Sequence, residues 1–261
     1  MAQVSVVIPT RNRVELLQRA IDSVRKQRDS EQEIIVVDDG DLENESLAEE
    51  LFQKQIRYIY SGGNKGGGYS RNLGVEHARG EFIAFLDDDD EWEESKLSDQ
   101  FLAISRTDSG LCYTGISVVD KAGRKGRYIF RKPGADPFKA IMKKNFIGTT
   151  SSVMLCRETF EQTGGFDPSL RALQDYDLYI RILKSSKITG IDKPLTIYHD
   201  HGLWDKVSGS RKNYIQAAAH LREKYSSERY YGMLKWSLLK IGFMKMVRSK
   251  QFLKETLKST L

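Results

Sequence analysis

Four consecutive aspartates, Asp87–Asp90, are the strongest chemical signal in this sequence. They directly follow the apolar run Phe82–Leu86, which predicts a buried strand. Like charges so close together raise one another's pKa unless a cation lies among them. Carboxylate oxygens are ligands that Mg²⁺ and Mn²⁺ prefer, usually together with substrate phosphates. The run is alternatively a solvated acidic turn that caps a helix near Trp92, but its place at a strand end favours a metal site.

Two further polar clusters also come directly after apolar strands. Val4–Ile8 leads into Thr10–Asn12, and Ile34–Val37 leads into Asp38 and Asp39. Strands that alternate with helical spacing predict a mostly parallel α/β sheet flanked by helices. Ligands of such sheets bind outside the carboxyl ends of the strands. We therefore expect the three clusters to form one shared site.

The remaining pattern extends this alternation along the chain. Helical spacing follows Asn12, which we expect to cap the first helix, and two more helices are predicted over 69–78 and 175–184. The chain reads as helical again from Tyr214 onward. Apolar runs predict further strands at Arg57–Tyr60, Leu111–Val119, Arg127–Arg131, Ser152–Cys156 and Leu195–Tyr198.

Composition points to an ordinary globular protein. Of the 261 residues, 39% are hydrophobic and 30% are charged. The two cysteines, Cys112 and Cys156, lie in separate apolar stretches and fit core packing in a reducing cytoplasm. We find neither a secretory signal nor an apolar run of the roughly 20 residues that a membrane span needs. The sequence therefore predicts a cytoplasmic location.

Positive charge is concentrated at the C-terminal end. Residues 211–261 carry twelve Lys/Arg and three Asp/Glu, a net charge of +9, whereas the whole chain has +5. Lys235, Lys240, Lys245 and Lys250 recur among apolar residues, so an anionic membrane surface is a natural partner for this tail. Helices that pack on the preceding domain and leave a solvated basic rim explain the pattern equally well.

Six short motifs, taken in order, identify a resemblance. The succession resembles the family-2 glycosyltransferases of the GT-A fold over residues 3–200, and bacterial O-antigen and capsule transferases in particular. The motifs are Val7–Arg13, Val36–Gly40, Ser70–Gly74, Gly80–Asp90, Gly164–Asp167 and Gln174–Leu178. The resemblance implies an α/β GT-A catalytic domain over 1–210, with a nucleotide and metal half to about 110 and an acceptor half to 210. The basic helical extension then covers 211–261.

The resemblance also implies a donor site. Thr10 and Asp39 match positions that hold the nucleoside, with Asp39 on the base edge and Asp38 beside it. Arg11 belongs to the same nucleotide-binding set. Arg71 matches an arginine that faces the nucleotide.

The metal site implied by the resemblance lies in the aspartate run. Asp89 matches the metal ligand of the family's Asp-x-Asp motif, with Asp87 as a second ligand and Mn²⁺ or Mg²⁺ as the ion. Asp88 or Asp87 matches the carboxylate on the ribose or on a metal-bound water. A histidine late in the fold closes over the metal, and the spacing of His201 fits better than that of His199.

Asp175 matches the general base of these enzymes. One such carboxylate suffices for an inverting displacement, because it only has to deprotonate the attacking hydroxyl. Asp177 cannot share a helical face with Asp175 at a separation of two, so we expect a structural role for it. The family commonly has Glu where this chain has Gln174.

These expectations combine into one predicted function and several alternatives. The predicted reaction moves a hexose, with UDP-glucose or UDP-galactose favoured as donor, to a polyprenyl-diphosphate-linked N-acetylhexosamine. It takes place on the inner face of the cell membrane. The alternatives are transfer to a soluble or protein acceptor, and a catalytically silent nucleotide-sugar-binding protein. A nucleic-acid-binding module is not favoured, because no recognised reading motif accompanies the basic tail.

Overall fold

The computed structural model describes residues 3–120, 123–200 and 211–244. Its strands are β1 (Val4–Thr10), β2 (Gln32–Asp38), β3 (Arg57–Tyr60), β4 (Phe82–Phe85), β5 (Glu91–Trp92), β6 (Leu111–Val119), β7 (Lys125–Ile129), β8 (Val153–Cys156) and β9 (Ile188–His199). Its helices are α1 (Val14–Arg25), α2 (Glu45–Gln53), α3 (Gly67–Glu76), α4 (Lys96–Thr107), α5 (Pro137–Lys143), α6 (Arg157–Gln162), α7 (Gln174–Ser185) and α8 (Arg211–Lys224). Residues 231–244 are also helical and are called the terminal helix below.

The strands of the described chain form one mixed sheet in the order β3-β2-β1-β4-β8-β6-β9-β5, with β7 paired to β6. Pairing is parallel among β1, β2, β3 and β4, and between β6 and β9. The other pairs are antiparallel. Strands β1 to β4 follow the predicted β-α alternation, and β6 to β9, which come from the second half of the sequence, add the mixed part of the sheet.

Both faces of the sheet are covered. Along β1, Val7 packs into one apolar cluster, whereas Val6 and Ile8 pack into a second cluster on the opposite face. Since side chains alternate between the faces of a strand, a strand buried on both sides needs a continuous apolar run. The first cluster includes residues of α7 and α8, and the second includes residues of α1, α2 and α4. The fold class expected from the sequence, an α/β GT-A-type sheet flanked by helices, is confirmed.

One local prediction was wrong. Asn12 does not cap α1, because the residue that precedes the helix is Arg13. Asn12 adopts a left-handed backbone with φ of 55° and donates its side-chain amide to Asp41 Oδ2 at 3.1 Å. The polar residue after β1 therefore tightens the loop over the strand ends rather than the start of the helix.

A close helix–strand approach positions α3. A Cβ on Gly74 would lie 2.3 Å from Val7 Cγ1 and 3.2 Å from Val37 Cγ2. Any larger residue would push α3 off the sheet, so glycine is required by contact rather than by backbone conformation. This packing brings the first turns of α3, with Arg71, close to the carboxyl ends of the strands.

The C-terminal helices share the main core. Leu221, Tyr225, Leu234 and Leu238 are all buried in the same cluster as β1 and α7. The carboxylate of Asp177 on α7 connects the two regions, as it lies fully buried and accepts a hydrogen bond from Tyr225 OH at 2.8 Å. Its charge is paired by two cations, Arg181 at 2.8 Å and Lys224 at 2.8 Å. The expected structural role of Asp177 is accounted for by these contacts.

Among the helices in the described parts of the chain, none is long and apolar enough to cross a bilayer.

Candidate functional site

The register of the sheet brings the three polar strand ends together. Thr10 pairs with Asp38 across β1 and β2, and Phe85 pairs with Val7 across β1 and β4. Continuing the second register by three residues places Asp88 beside Thr10. The Thr10 hydroxyl indeed donates to Asp88 Oδ2 at 2.8 Å. The polar ends of β1, β2 and β4 thus meet at one edge of the sheet, as expected.

Asp38 and Asp39 organise the loops around this edge. Asp39 accepts hydrogen bonds from the backbone N–H of Lys65 at 2.7 Å and of Gly66 at 2.8 Å, and from Ser61 Oγ at 2.6 Å. Asp38 accepts from Tyr58 OH at 2.8 Å and from the N–H of Gly40 at 2.8 Å. The two carboxylates thus hold the glycine-rich loop and the turn after β2 in fixed positions.

A pocket of about 510 Å³ opens between the loops after β1 and β2. Thr10 and Asp38 line its inner end, and residues 41–47 line its outer side. Arg11, a predicted nucleotide-binding residue, lies at the surface, where it pairs with Asp41 at 2.8 Å and donates to Asn64 Oδ1 at 3.0 Å. The pocket is large enough for a planar base and is bordered by hydrogen-bonding groups.

Arg71 and Asp87 form an ion pair at the centre of the site. The same Asp87 oxygen accepts a hydrogen bond from Thr150 Oγ1 at 3.0 Å. Arg71 is buried by its packing near the ring of Phe166, whose centroid lies 5.5 Å from the guanidinium carbon. A buried guanidinium that faces a carboxylate is well placed to bind a phosphate in exchange.

Three carboxylates of the aspartate run could hold a divalent ion. Asp87, Asp89 and Asp90 each offer an oxygen, and these atoms all lie within 4.8 Å of one another. An all-oxygen set of this kind fits Mg²⁺ or Mn²⁺ and not a soft metal. Asp90 was not expected as a ligand. Its Oδ2 accepts from Ser151 Oγ at 2.6 Å, so its orientation is fixed from behind.

Asp88 turns away from this trio toward β1. Burial raises its pKa to about 6, and the nearby charges of Asp89 and Asp87 add to the rise. The hydrogen bond from Thr10 and the charge of Arg13, 3.5 Å away, act in the opposite direction. Asp88 thus joins the acidic run to the nucleotide side of the site.

Asp175 lies in the first turn of α7, at the other side of the site. Burial raises the pKa of this carboxyl to about 6, while the backbone N–H of Tyr176 and the charge of Arg71 lower it. The charge of Asp87 also acts on it and raises its pKa. The predicted base is therefore electrostatically coupled to the Arg71–Asp87 pair, which belongs to the donor side.

Asn145 fixes the orientation of Asp175. Its Nδ2 donates to Asp175 Oδ2 at 3.2 Å and to the carbonyl of Gly148 at 3.0 Å. Its Oδ1 accepts from the N–H groups of Ile147 and Gly148, both at 3.1 Å. Because each amide atom is engaged, the side chain is held in one rotamer and presents an N–H to the carboxylate.

Of the two candidate histidines, His199 and His201, the structure describes only His199. His201 lies outside the described residues, so its predicted place over the metal stays a prediction. His199 ends β9, and its Nε2 lies 2.7 Å from Glu91 Oε1. Arg19 binds the same carboxylate at 3.3 Å and donates to the carbonyl of Asp89 at 3.0 Å. This network braces the backbone of the aspartate run from its outer side.

The sequence did not reveal the loop of residues 145–152, which supports both Asp175 and the aspartate run. Asn145, Thr150 and Ser151 belong to an irregular segment with no periodic pattern, and no motif marks them. Ser151 also accepts a hydrogen bond at its carbonyl from Trp92 Nε1 at 2.8 Å, so this buried indole anchors the loop. The only signal in the sequence was the high density of small polar residues between 145 and 152.

Comparison with known proteins places this arrangement in context. The model of the family described as "Glycosyl transferase family 2" matches residues 5–164. A glycosyltransferase of Haemophilus influenzae is 27% identical over 225 residues, which are 85% of this chain and 76% of the relative. The amylovoran biosynthesis glycosyltransferase AmsB of Erwinia amylovora is 29% identical over 216 residues, 75% of this chain and 69% of its own.

Solved structures share the fold at lower identity. TarS 1-349 of S. aureus, in complex with UDP-GlcNAc, has a TM-score of 0.65 and 18% identity, and the match covers 87% of this chain and 74% of TarS. A mannosyltransferase of Pyrobaculum calidifontis, in complex with GDP-Man and Mn²⁺, has a TM-score of 0.62 and 15% identity. That match covers 96% of this chain and 75% of the other.

Proposed function

Since the chain belongs to glycosyl transferase family 2, we propose that it transfers a hexose with inversion from a UDP-sugar to a polyprenyl-diphosphate-linked N-acetylhexosamine. UDP-glucose and UDP-galactose are the favoured donors. The observation that carries the proposal is that Asp175 lies close enough to the Arg71–Asp87 ion pair to feel both charges, with Asp87 itself part of the acidic trio. The role in bacterial surface polysaccharide assembly is supported by the relative AmsB, which is named for amylovoran biosynthesis.

The donor is held by the strand ends. The nucleoside lies in the pocket bordered by Thr10 and Asp38, with Asp39 near the base edge and Asp88 toward the ribose. Arg71 leaves Asp87 to face the diphosphate. Asp87 and Asp89 would hold a Mn²⁺ or Mg²⁺, whose positive charge would neutralise the departing diphosphate.

The acceptor reaction needs one base. The acceptor hydroxyl oxygen bonds to the anomeric carbon as the bond from that carbon to the diphosphate oxygen breaks. The hydroxyl proton passes to Asp175, which is mostly ionised at neutral pH with a pKa of about 6. Asn145 keeps the accepting carboxylate in position by its hydrogen bond. Attack from the side opposite to the leaving group inverts the anomeric configuration.

Donor binding is tested by calorimetric titration of UDP and GDP in the presence of Mn²⁺ and then of EDTA. We expect UDP to bind with Mn²⁺ and the affinity to fall with EDTA. GDP is the informative competitor, because the solved mannosyltransferase neighbour holds GDP-Man. Preference for GDP would overturn the donor assignment, and absence of binding by both nucleotides would overturn the transferase proposal. Asp89→Ala is expected to weaken the binding of both UDP and Mn²⁺.

Transfer is tested with UDP-glucose, UDP-galactose and a short polyprenyl-diphosphate N-acetylhexosamine. The product's anomeric configuration, read from the proton coupling of its new anomeric centre by NMR, is expected to be opposite to that of the donor. Retention would overturn the single-base reaction. Turnover on a soluble sugar or protein but not on the lipid-linked acceptor would replace the proposed acceptor. UDP-sugar binding without turnover on any acceptor would indicate a silent binding protein.

We place this reaction at the inner face of the cell membrane, since a lipid-linked acceptor is presented there. The basic C-terminal region supports the placement through its net charge of +9 over residues 211–261.

A further inference from the structure

A groove of about 1010 Å³ lies between α5 and the terminal helix, away from the strand ends. Its lining is mostly apolar and includes Met233, Trp236, Leu239 and Phe243. Three lysines complete it, namely Lys139, Lys143 and Lys240. These seven residues are called the α5–terminal surface below.

The terminal helix has two apolar faces. Leu234 and Leu238 are buried in the main core at 0% and 2% exposure. Trp236, Leu239 and Phe243 are exposed at 75%, 49% and 61%. They recur at the i, i+3, i+7 spacing of one helical stripe. The helix is therefore anchored by one face and presents the other, with a large aromatic ring at each end.

The exposed stripe is surrounded by positive charge. No acidic residue is among the groove's lining residues in the described chain. Lys144 follows α5, and its pKa is lowered first by the charge of Arg131, then by burial, and then by the charges of Lys240 and Arg127. Cations thus crowd this side of the molecule, and an anionic partner would relieve their mutual repulsion.

We propose that the α5–terminal surface docks on a bilayer that contains anionic lipids. Trp236, Leu239 and Phe243 enter the boundary between headgroups and acyl chains, as the apolar stripe of an interfacial helix does. Lys139, Lys143 and Lys240 remain at the lipid phosphates, which their long side chains allow. The aromatic and cationic residues interleave on one face, which matches a headgroup layer better than a polar protein surface.

Docking on this face would also orient the site. α5 ends at Lys143, and two residues later Asn145 binds Asp175. Docking by α5 therefore places the base close to the membrane side of the molecule, where a lipid-linked acceptor arrives. This orienting consequence rests on the proposed function, whereas the docking itself does not.

Vesicle flotation of the full chain tests the proposal. We expect binding to vesicles of phosphatidylcholine with phosphatidylglycerol, and little binding to phosphatidylcholine alone. A triple variant, Lys139→Glu, Lys143→Glu and Lys240→Glu, should lose about 100-fold in apparent affinity, since each lysine near the surface contributes roughly a factor of five. The double variant Trp236→Ser and Phe243→Ser should lose about tenfold by removal of apolar insertion.

Matched controls come from the opposite end of the chain. Phe52 is 81% exposed on α2, and Lys26 is exposed after α1. Phe52→Ser and Lys26→Glu are expected to bind anionic vesicles like the unmodified chain. UDP titration of every variant shows whether its fold is intact. A variant that keeps UDP binding but loses vesicle binding separates docking from the donor site.

Three results would overturn the docking proposal. One is absence of vesicle binding by the unmodified chain, and another is unchanged binding by both surface variants, which would assign binding to residues 245–261. The third is a concentration-dependent dimer that the surface variants abolish, because a second copy would then cover the surface. Failure of the proposed function is distinct, since it appears as lost UDP binding or absent transfer in the unmodified chain.

Discussion

In the proposed reaction, the carboxylates of Asp38 and Asp39 on the donor side and of Asp175 on the acceptor side are held in different ways. On the donor side, Asp38 and Asp39 accept hydrogen bonds from hydroxyls and backbone N–H groups that fix their orientation. On the acceptor side, Asp175 receives a side-chain hydrogen bond from Asn145, and burial raises its pKa to about 6. The difference teaches that Asp38 and Asp39 are organised to hold the surrounding loops, whereas Asp175, like the buried Asp88, has a pKa raised toward neutral pH, which suits proton exchange.

The largest effect is expected from Asp175→Asn, which removes the proton acceptor but keeps the size of the side chain. We expect the transfer rate to fall by about 10²–10⁴-fold. Affinities for UDP and Mn²⁺ should stay within about twofold of the unmodified values by calorimetry, since the base lies outside the nucleotide pocket. Full activity in this variant would show that Asp175 is not the base. The functional difference between Asp175 and the carboxylates of Asp38 and Asp39 would then not hold.

The variant Asp177→Ala tests whether Asp175 and Asp177, which lie in one turn of α7, have separate roles. The substitution leaves Arg181, Lys224 and Tyr225 without their buried acceptor. Breaking a buried pair in this way is expected to lower the free energy of unfolding by about 3–5 kcal/mol. Chemical denaturation measures this change in the free energy of unfolding.

The matched control is an exposed ion pair. Asp120 and Arg124 pair at 2.9 Å with most of the arginine in solvent. Asp120→Ala is expected to cost below about 1 kcal/mol. Equal losses for Asp177→Ala and Asp120→Ala would contradict the structural role of Asp177.

Asp39→Asn tests whether the Asp39 carboxylate orders the loop of the donor side. An amide NH₂ in place of one oxygen would face a backbone N–H of the loop, which loses its acceptor. Since an unsatisfied donor costs about 1–3 kcal/mol, UDP affinity should fall by roughly 5- to 150-fold. Calorimetry with Mn²⁺ present measures this. An unchanged affinity would show that the loop order does not depend on this carboxylate.

The smallest expected effect is a shift in pH dependence. For a base with a pKa of about 6, kcat/KM falls as the pH drops through 6, because the protonated carboxyl no longer accepts the hydroxyl proton. Asn145→Asp puts a second carboxylate beside Asp175 and should raise its pKa, so the acid limb moves to higher pH. Asn145→Ala serves as the control that lacks the added charge. If the acid limb lies at the same pH in both variants, the residue at position 145 does not influence the pKa of Asp175.

The strand ends could be predicted from the sequence because one physical rule covers them. A doubly buried strand needs a continuous apolar run, and in a parallel sheet each such run delivers its next polar residues to the same edge. Thr10, Asp38 and Asp88 were placed on this basis, and the structure brings them together. The positions of the individual oxygen atoms could not be predicted, since they depend on register and on loop contacts.

Residues from the second half illustrate what the sequence could not show. Asn145 and Ser151 reach the site from an irregular loop whose path is set by tertiary contacts such as the Trp92 indole on the Ser151 carbonyl. Asp90 was not predicted as a metal ligand, because the Asp-x-Asp motif matches only Asp87 and Asp89. Short α5 has too few residues for a helical period to stand out.

The carboxylate of Asp177 sets a limit on how this protein can be recombined with its relatives. A chimera that joins residues 1–210 to a foreign tail must again provide a cation and a hydroxyl where Lys224 and Tyr225 stand. Without them only Arg181 would pair with the buried Asp177 carboxylate, two residues from the proposed base. The tail and α7 therefore form one unit of exchange, and the proposed docking surface travels with the proposed base.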